Sequence, residues 1–147
     1  MSIEDDVALL ERVPTLRLLG RDALRMLAIG SEQRDIPRGD LLFKLGDDAD
    51  AGFIVQRGVF RIDDGAGAET TAGPGTLIGE LALVVAMRRP ANATALEYSS
   101  VVRITRSLFQ RVLESDPAAA LRLRDEFAVR SSQIASDILI TGAKLSR

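Results

Sequence analysis

The sequence predicts an α+β fold, in which an antiparallel β roll of the jelly-roll, double-stranded β-helix kind is flanked by N-terminal helices and two C-terminal helices. Two observations predict it: helical periodicity at both ends, and short β-prone runs separated by Gly, Asp and Pro between them. The 147 residues match one ordinary domain. We therefore expect a single domain over 1–147, with helices at 1–30, the roll at 31–106 and helices at 107–147.

The first thirty residues carry apolar side chains at helical spacing. The residues of this pattern are Leu9, Leu10, Val13, Leu16, Leu19, Leu24, Leu27 and Ala28. Pro14 and Gly20 interrupt it. Because both residues punctuate helices, we expect two short helices rather than one long helix.

The middle of the chain has the sequence pattern of a β roll. Its strand candidates are Leu41–Phe43, Phe53–Val55, Val59–Ile62, Ala93–Leu96 and Val101–Ile104. Turn signals rich in Gly, Asp and Pro separate these runs. Many short strands joined by such turns indicate a sandwich or a barrel-like roll.

The C-terminal region returns to helical periodicity. Thr105 or Ser107 is suited to cap a helix whose apolar face follows, and Pro117 opens a second, longer helix. That longer helix carries the apolar residues Leu121, Leu123, Phe127, Ile134, Ile138 and Leu145, and the steps of four and seven from Leu123 to Leu145 predict one apolar stripe. We expect its first half to pack on the domain or ligand, and its second half to offer a seam for a homodimer.

Composition excludes several classes of function. The chain contains no cysteine and no histidine, which removes thiolate metal sites, the commonest metal ligand and the commonest general base. We expect no catalytic residues, no metal site, no cofactor and no enzymatic activity. The net charge of −2 offers no basic surface for nucleic acid. The start has no signal-peptide pattern, and no apolar run approaches the ~20 residues of a membrane span, so we expect a cytoplasmic protein without a membrane partner.

A glycine-led segment has the properties of an anion cradle. Gly79 permits a backbone geometry or close approach that a Cβ would hinder, and the amides of Leu81 and Ala82 would then open a helical turn toward one spot. Arg89 offers a bidentate fork for a phosphate. Glu80 would repel an anion unless it accepts hydrogen bonds from elsewhere, and a ribose hydroxyl is a natural donor.

Each of these residues also has a purely structural interpretation. Taken alone, Arg89 is a surface or ion-paired arginine, Glu80 a solvated carboxylate and Gly79 a turn glycine. Because the three residues occur together in one segment, in the order that an anion cradle needs, the ligand interpretation is favoured. Pro90 presets the backbone of Arg89 to an extended conformation. Asn92 fits a ligand contact and a turn cap about equally well.

The segment at 79–92, with Gly79-Glu80-Leu81-Ala82 followed by Arg89, resembles the phosphate-binding cassette of the cyclic nucleotide-binding domain family. Such domains include the ligand domain of the catabolite activator and the sensor domains of cyclic nucleotide-gated channels. The resemblance, which covers nearly the whole chain, implies that Glu80 takes the ribose 2′-hydroxyl and that Arg89 pairs with the cyclic phosphate. It also implies that the amides of Leu81 and Ala82 help to hold the phosphate or sugar, and that the last helix closes over the base.

Two positions depart from the usual family pattern. Asn92 stands where most members have Thr or Ser, as it does in the channels, and Pro90 lacks the amide hydrogen or hydroxyl that many members use on the ligand. Since Thr at position 90 is associated with cGMP, its absence favours cAMP over cGMP as the ligand.

We interpret the chain as a stand-alone cyclic nucleotide sensor that signals through its C-terminal helix to an unidentified protein in trans. The alternative is a scaffold of the same fold that binds no ligand and serves dimerisation or partner docking. A helix-turn-helix transcription regulator is disfavoured, since the chain ends at Arg147, shortly after the long helix.

Overall fold

Helices stand at both ends of the domain in this computed structural model, which describes residues 2–126. The helices are α1 (Ile3–Glu11), α2 (Pro14–Arg17), α3 (Arg21–Gly30) and α4 (Arg106–Ser115), and residues 117–126 are also helical. The prediction of two N-terminal helices was wrong, because three are present. Pro14 occupies the first turn of α2, where its missing amide hydrogen costs nothing, and Gly20 precedes α3 with a φ of 89°.

Ten strands lie between these helices. They are β1 (Glu32–Ile36), β2 (Leu41–Phe43), β3 (Asp48–Ala49), β4 (Ala51–Arg57), β5 (Phe60–Asp63), β6 (Glu69–Ala72), β7 (Leu77–Ile78), β8 (Met87–Arg88), β9 (Asn92–Ala95) and β10 (Ser99–Thr105). The strands form antiparallel sheets in the orders β1-β10-β4-β7 and β2-β9-β5-β6, with β3 and β8 paired separately. This arrangement confirms the predicted fold class.

The apolar core has two parts. One lies inside the roll and is centred on Phe60 and Val55, and the other lies between the helices and the outer face of the β1-β10-β4-β7 sheet. Alternation along β4 explains the division, because Ile54 joins the helical part while its neighbours Phe53 and Val55 join the roll. The helices therefore pack behind the roll and leave its interior to the candidate site.

The C-terminal helices agree with the sequence in part. Thr105, rather than Ser107, caps α4, since its side chain accepts a hydrogen bond from the Leu108 amide at 3.1 Å. In the helix at 117–126, Leu123 is buried and Leu121 is exposed, which agrees with a stripe that begins at Leu123. The rest of that stripe, from Phe127 to Leu145, and the homodimer seam predicted there lie outside the described residues. Among residues 2–126, none of the helices is both long and apolar enough to cross a bilayer.

Candidate ligand-binding site

The predicted cassette begins with a left-handed turn. Gly79 has φ 78° and ψ 37°, and it caps a short 3-10 helix at Glu80–Leu83. A Cβ at this position would lie 2.6 Å from Nη1 of Arg89. Glycine is therefore required twice here, by its backbone conformation and by the approach of the guanidinium.

Arg89 is buried, with 5% of its surface exposed, at the centre of this turn. Its Nη2 donates to the carbonyl of Ala51 at 2.8 Å, and its guanidinium lies 4.2 Å from the ring centroid of Phe43 and 5.4 Å from that of Phe53. Its Nε is buried and has no hydrogen-bond partner among residues 2–126. Over the same residues, no carboxylate forms an ion pair with this side chain.

Burial governs the charge state of this guanidinium. Desolvation lowers the pKa of Arg89 from its ordinary value, and Arg103 lowers it further, while Asp50 and Asp47 act in the opposite direction. An arginine nevertheless stays protonated at neutral pH. The roll thus holds a buried positive charge whose hydrogen-bonding capacity is only partly used, which is the chemistry that an anionic ligand requires.

The backbone around Arg89 is fixed by two neighbouring segments. The Arg89 amide donates to the Asp47 carbonyl at 2.7 Å, and the Arg89 carbonyl accepts from the Gly46 amide at 2.8 Å. Pro90, which follows, is exposed. These bonds continue the β3-β8 pairing and hold the side chain of Arg89 toward the interior of the roll.

Glu80 faces the N-terminal helices. The hydroxyl of Thr15 in α2 donates to Oε1 of Glu80 at 2.6 Å, and Thr15 itself is only 3% exposed. Sequence reasoning did not identify Thr15, because it lies 65 residues from its partner and no local pattern marks it. The carboxylate expected to read a ribose is thus tied to α2.

Leu81 and Ala82 differ in their surroundings. The Leu81 side chain is exposed, whereas Ala82 is buried and its amide donates to the Gly79 carbonyl at 3.1 Å. This bond closes the turn of the 3-10 helix. That either amide holds a ligand stays a prediction.

Asn92 connects two loops. Its Oδ1 accepts from the Leu45 amide at 2.8 Å, and its Nδ2 donates to Oδ1 of Asp63 at 3.4 Å. Of the two interpretations that the sequence left open, these bonds correspond to the one in which Asn92 holds a turn.

Arg106, a residue that sequence reasoning missed, supports the cassette from behind. Its Nη1 donates to the carbonyls of Ala49, Ala82 and Val85 at 3.0, 3.2 and 2.9 Å. Since Arg106 is the first residue of α4, it joins that helix to the end of the 3-10 helix. No motif marks it, because its three acceptors are backbone atoms.

A jelly roll with a buried arginine against a left-handed glycine turn offers an internal cation to an anionic small molecule. The sequence profile of the Cyclic nucleotide-binding domain family matches residues 33–116, more than half of the chain. The chain belongs to this family, as its resemblance predicted. The matched family is one of ligand-binding domains, and the match includes the whole cassette at 79–92.

Individual relatives agree with this assignment. The chain is 33% identical over 111 residues to an uncharacterized NTE family protein of Mycobacterium bovis, an alignment that covers 74% of this chain and 19% of that protein. It is 30% identical over 111 residues to the cAMP-dependent protein kinase regulatory subunit of Eremothecium gossypii, covering 74% and 24%. The chain thus spans a quarter or less of these relatives. The N-terminal domain of a transcriptional regulator from Streptomyces coelicolor superposes with a TM-score of 0.80 and 27% identity, covering 88% of this chain and 94% of that domain.

Proposed function

We propose that this domain is a sensor of cyclic nucleotides that binds cAMP in preference to cGMP. The observation that carries the proposal is Arg89, a buried guanidinium whose Nε has no partner within residues 2–126 and whose Nη1 adjoins the Gly79 turn. A cyclic phosphate carries one negative charge and acceptor oxygens. It would neutralise this charge and use the donors of Arg89.

Glu80 supplies the second point of recognition in this proposal. It follows Gly79 directly, so a nucleotide whose phosphate meets Arg89 presents its ribose to the same turn. A carboxylate accepts hydrogen bonds at both oxygens, and the ribose 2′-hydroxyl donates one. Recognition of phosphate and ribose together would favour a cyclic ribonucleotide over inorganic anions and over its 2′-deoxy analogue.

The preference for cAMP rests on Pro90. This residue follows Arg89, is exposed, and has neither a hydroxyl nor an amide hydrogen to offer a guanine. The relative from Eremothecium gossypii is named for its dependence on cAMP, which agrees with this choice. In the variant Pro90→Thr we expect the ratio of cGMP affinity to cAMP affinity to rise, because a hydroxyl donor is added beside the base. An unchanged ratio would remove Pro90 from the argument.

The output of the sensor is also a proposal. We expect the C-terminal helix to move over the base and to signal to a partner protein in trans, in a cytoplasmic protein whose own chain is not an enzyme. Pairing of the C-terminal helices in a homodimer belongs to the same proposal. Sedimentation velocity with and without cAMP measures it, and a monomer under both conditions would exclude the dimer.

Titration calorimetry tests the proposed ligand directly. We expect saturable heat with cAMP, weaker binding of cGMP, and little binding of 5′-AMP, whose acyclic phosphate has a different shape and charge. The exposed neighbour Arg88 gives a matched control, since Arg88→Met should leave the cAMP affinity unchanged and Arg89→Met should abolish most of it. A folded protein that releases no heat with either cyclic nucleotide would favour the scaffold alternative.

A further inference from the structure

The short helix α2 and the two residues after it form a segment, 14–19, that contacts both the cassette and the helix at 117–126. On one side, Thr15 donates its hydroxyl hydrogen bond to Glu80 at 2.6 Å. On the other side, Arg122, in the helix at 117–126, donates from Nε to the Leu18 carbonyl at 2.7 Å and from Nη2 to the Leu19 carbonyl at 2.8 Å. The segment 14–19, which consists of α2 and the two residues after it, therefore contacts both the proposed ribose-binding side chain and the last described helix.

These contacts decide where α2 sits. A helix of four residues cannot maintain itself in water, so its position depends on tertiary contacts. The carbonyls of Leu18 and Leu19 end the segment, and the guanidinium of Arg122 satisfies both of them. The site of a Cβ on Gly20 lies only 3.3 Å from Nη2 of Arg122, which shows how closely that guanidinium approaches the backbone.

The Thr15 hydroxyl is well placed to orient Glu80. Thr15 is buried, so water does not compete strongly for its hydrogen bond, and bonds to a charged acceptor are the stronger kind. A donor on Oε1 restricts rotation of the carboxylate. Glu80 thereby presents itself to a ligand in a defined orientation.

We infer that Thr15 is a positioning residue for ribose recognition, and that Arg122 holds the segment that carries it. The inference rests on the proposed role of Glu80 toward the ribose. Its consequence is a coupling between the 2′-hydroxyl of the nucleotide and the helix at 117–126 through the segment 14–19. Because such coupling is reciprocal, a contact made by Arg122 alters ribose affinity although Arg122 never touches the ligand.

The test is the ratio of dissociation constants for 2′-deoxy-cAMP and cAMP, measured by calorimetry. In the unmodified protein we expect a ratio of about ten or more, since the lost hydrogen bond has a charged acceptor. Thr15→Val should lower that ratio by about three- to tenfold, mainly by weakening cAMP. Thr15→Ser, which restores a hydroxyl, should keep the ratio within about twofold of the original. Thermal melts of each variant establish that it is folded.

The role of Arg122 is tested with a second variant and a matched control. Arg122→Met removes both donors to the carbonyls of Leu18 and Leu19 while it keeps an apolar stem of similar length, and it should lower the same ratio by about two- to fivefold. Arg124, which is 73% exposed on the same helix, provides the control, and Arg124→Met should leave the ratio unchanged. A merely structural role for Thr15 or Arg122 would weaken both nucleotides alike and leave the ratio intact.

Four outcomes would overturn the inference, and they distinguish its failure from the failure of the proposed function. A ratio that Thr15→Val leaves unchanged overturns the inference while the proposed function stands. A gain in cAMP affinity in that variant also overturns it, because Thr15 would then compete with the ribose instead of orienting Glu80. If the unmodified protein binds neither nucleotide, the proposed function itself fails. If it binds both equally, the ribose role of Glu80 and the inference fail together, while the role of Arg89 survives.

Discussion

The cassette has two sides, and each presents an arginine with a different environment. On the back, Arg106 donates to three backbone carbonyls at 2.9 to 3.2 Å. On the front, Arg89 donates to one carbonyl, and its Nε has no partner within residues 2–126. The two side chains are thus of one type and lie against one turn, but only Arg106 has several acceptors in the protein.

The difference separates a structural role from a binding role. A buried donor without an acceptor costs free energy in the folded protein, so a chain retains one only where something else compensates. Arg106 meets this requirement with carbonyls and fixes the cassette on α4. The donors of Arg89 have too few acceptors in the protein, and a bound anion would supply the missing ones. Variants of Arg89 and Arg106 therefore distinguish effects on cAMP affinity from effects on the free energy of unfolding.

The largest effect is expected on the front side. Arg89→Met should weaken cAMP binding by about 2–5 kcal/mol, or roughly thirty- to several-thousandfold, because a buried charge partner of the phosphate is lost. The free energy of unfolding should change little, because the loss of the donor to the Ala51 carbonyl and the removal of a buried charge act in opposite directions. Burial lowers the pKa of Arg89, so the folded state binds its proton less tightly than the unfolded chain does, and the charged form is destabilising at neutral pH.

Calorimetry and urea unfolding measure these two quantities, and Arg88→Met is the matched control. Arg88 precedes Arg89 but is 76% exposed at its side chain. If affinity fell with Arg88→Met instead, the register of the cassette assigned here would be wrong.

A variant of Arg106, on the back of the cassette, should lose mainly stability rather than cAMP affinity. Arg106→Met should lower the free energy of unfolding by about 1–3 kcal/mol, since the carbonyls of Ala49, Ala82 and Val85 lose their donor. Affinity for cAMP should fall by less than in Arg89→Met, because the guanidinium of Arg106 faces the carbonyl end of the turn. Stability equal to that of the unmodified protein would show that water replaces this donor without cost.

Gly79→Ala should lower both the stability and the cAMP affinity, each by a smaller amount. A left-handed residue with a Cβ costs about 1–2 kcal/mol, and here the Cβ would also displace Nη1 of Arg89. Gly39→Ala is a control for the strain alone, since Gly39 has φ 87° but open space around its Cβ. Both variants should lose similar stability, but only Gly79→Ala should lose cAMP affinity. Equal affinities would show that the contact between Gly79 and Arg89 is irrelevant to binding.

The smallest expected effect is that of pH on binding. Burial lowers the pKa of Arg89, but from so high a value that the guanidinium remains charged at neutral pH. A cyclic phosphate diester is likewise fully ionised there. The affinity for cAMP should therefore be flat between about pH 6 and pH 8. A steep dependence within this range would indicate that a carboxylate, and not Arg89, controls binding.

Local signals in the sequence were sufficient for much of this fold. Apolar β-prone runs located five strands, and the pair of candidate caps, Thr105 or Ser107, together with the apolar face that follows them, located α4. The strand β1, with the sequence Glu-Gln-Arg-Asp-Ile, escaped because an edge strand with exposed side chains carries no apolar alternation. The two-residue strands β3, β7 and β8 were not predicted because pairing with distant segments, rather than their own sequence, defines them. The strand β6 was not predicted because three of its four residues are polar and exposed.

The candidate site was predictable only where its residues are close in sequence. Gly79, Glu80 and Arg89 share one segment, whose order indicates an anion cradle. Thr15 and Arg106 reach the same turn from other parts of the fold, through contacts across 65 and 24 residues. No periodicity or motif encodes such contacts, so they become visible only when the chain is folded.

Thermal unfolding with and without cAMP tests the central claim most directly, on the unmodified protein, Arg89→Met and Arg106→Met side by side. A ligand at about a hundred times its dissociation constant stabilises a protein by about 2.7 kcal/mol, a readily measured shift in Tm. We predict that Arg106→Met melts at a lower temperature but keeps its shift with cAMP. Arg89→Met should melt like the unmodified protein and lose the shift. A shift that survives Arg89→Met, or one absent from the unmodified protein, would contradict the assignment of Arg89 as the partner of a cyclic phosphate.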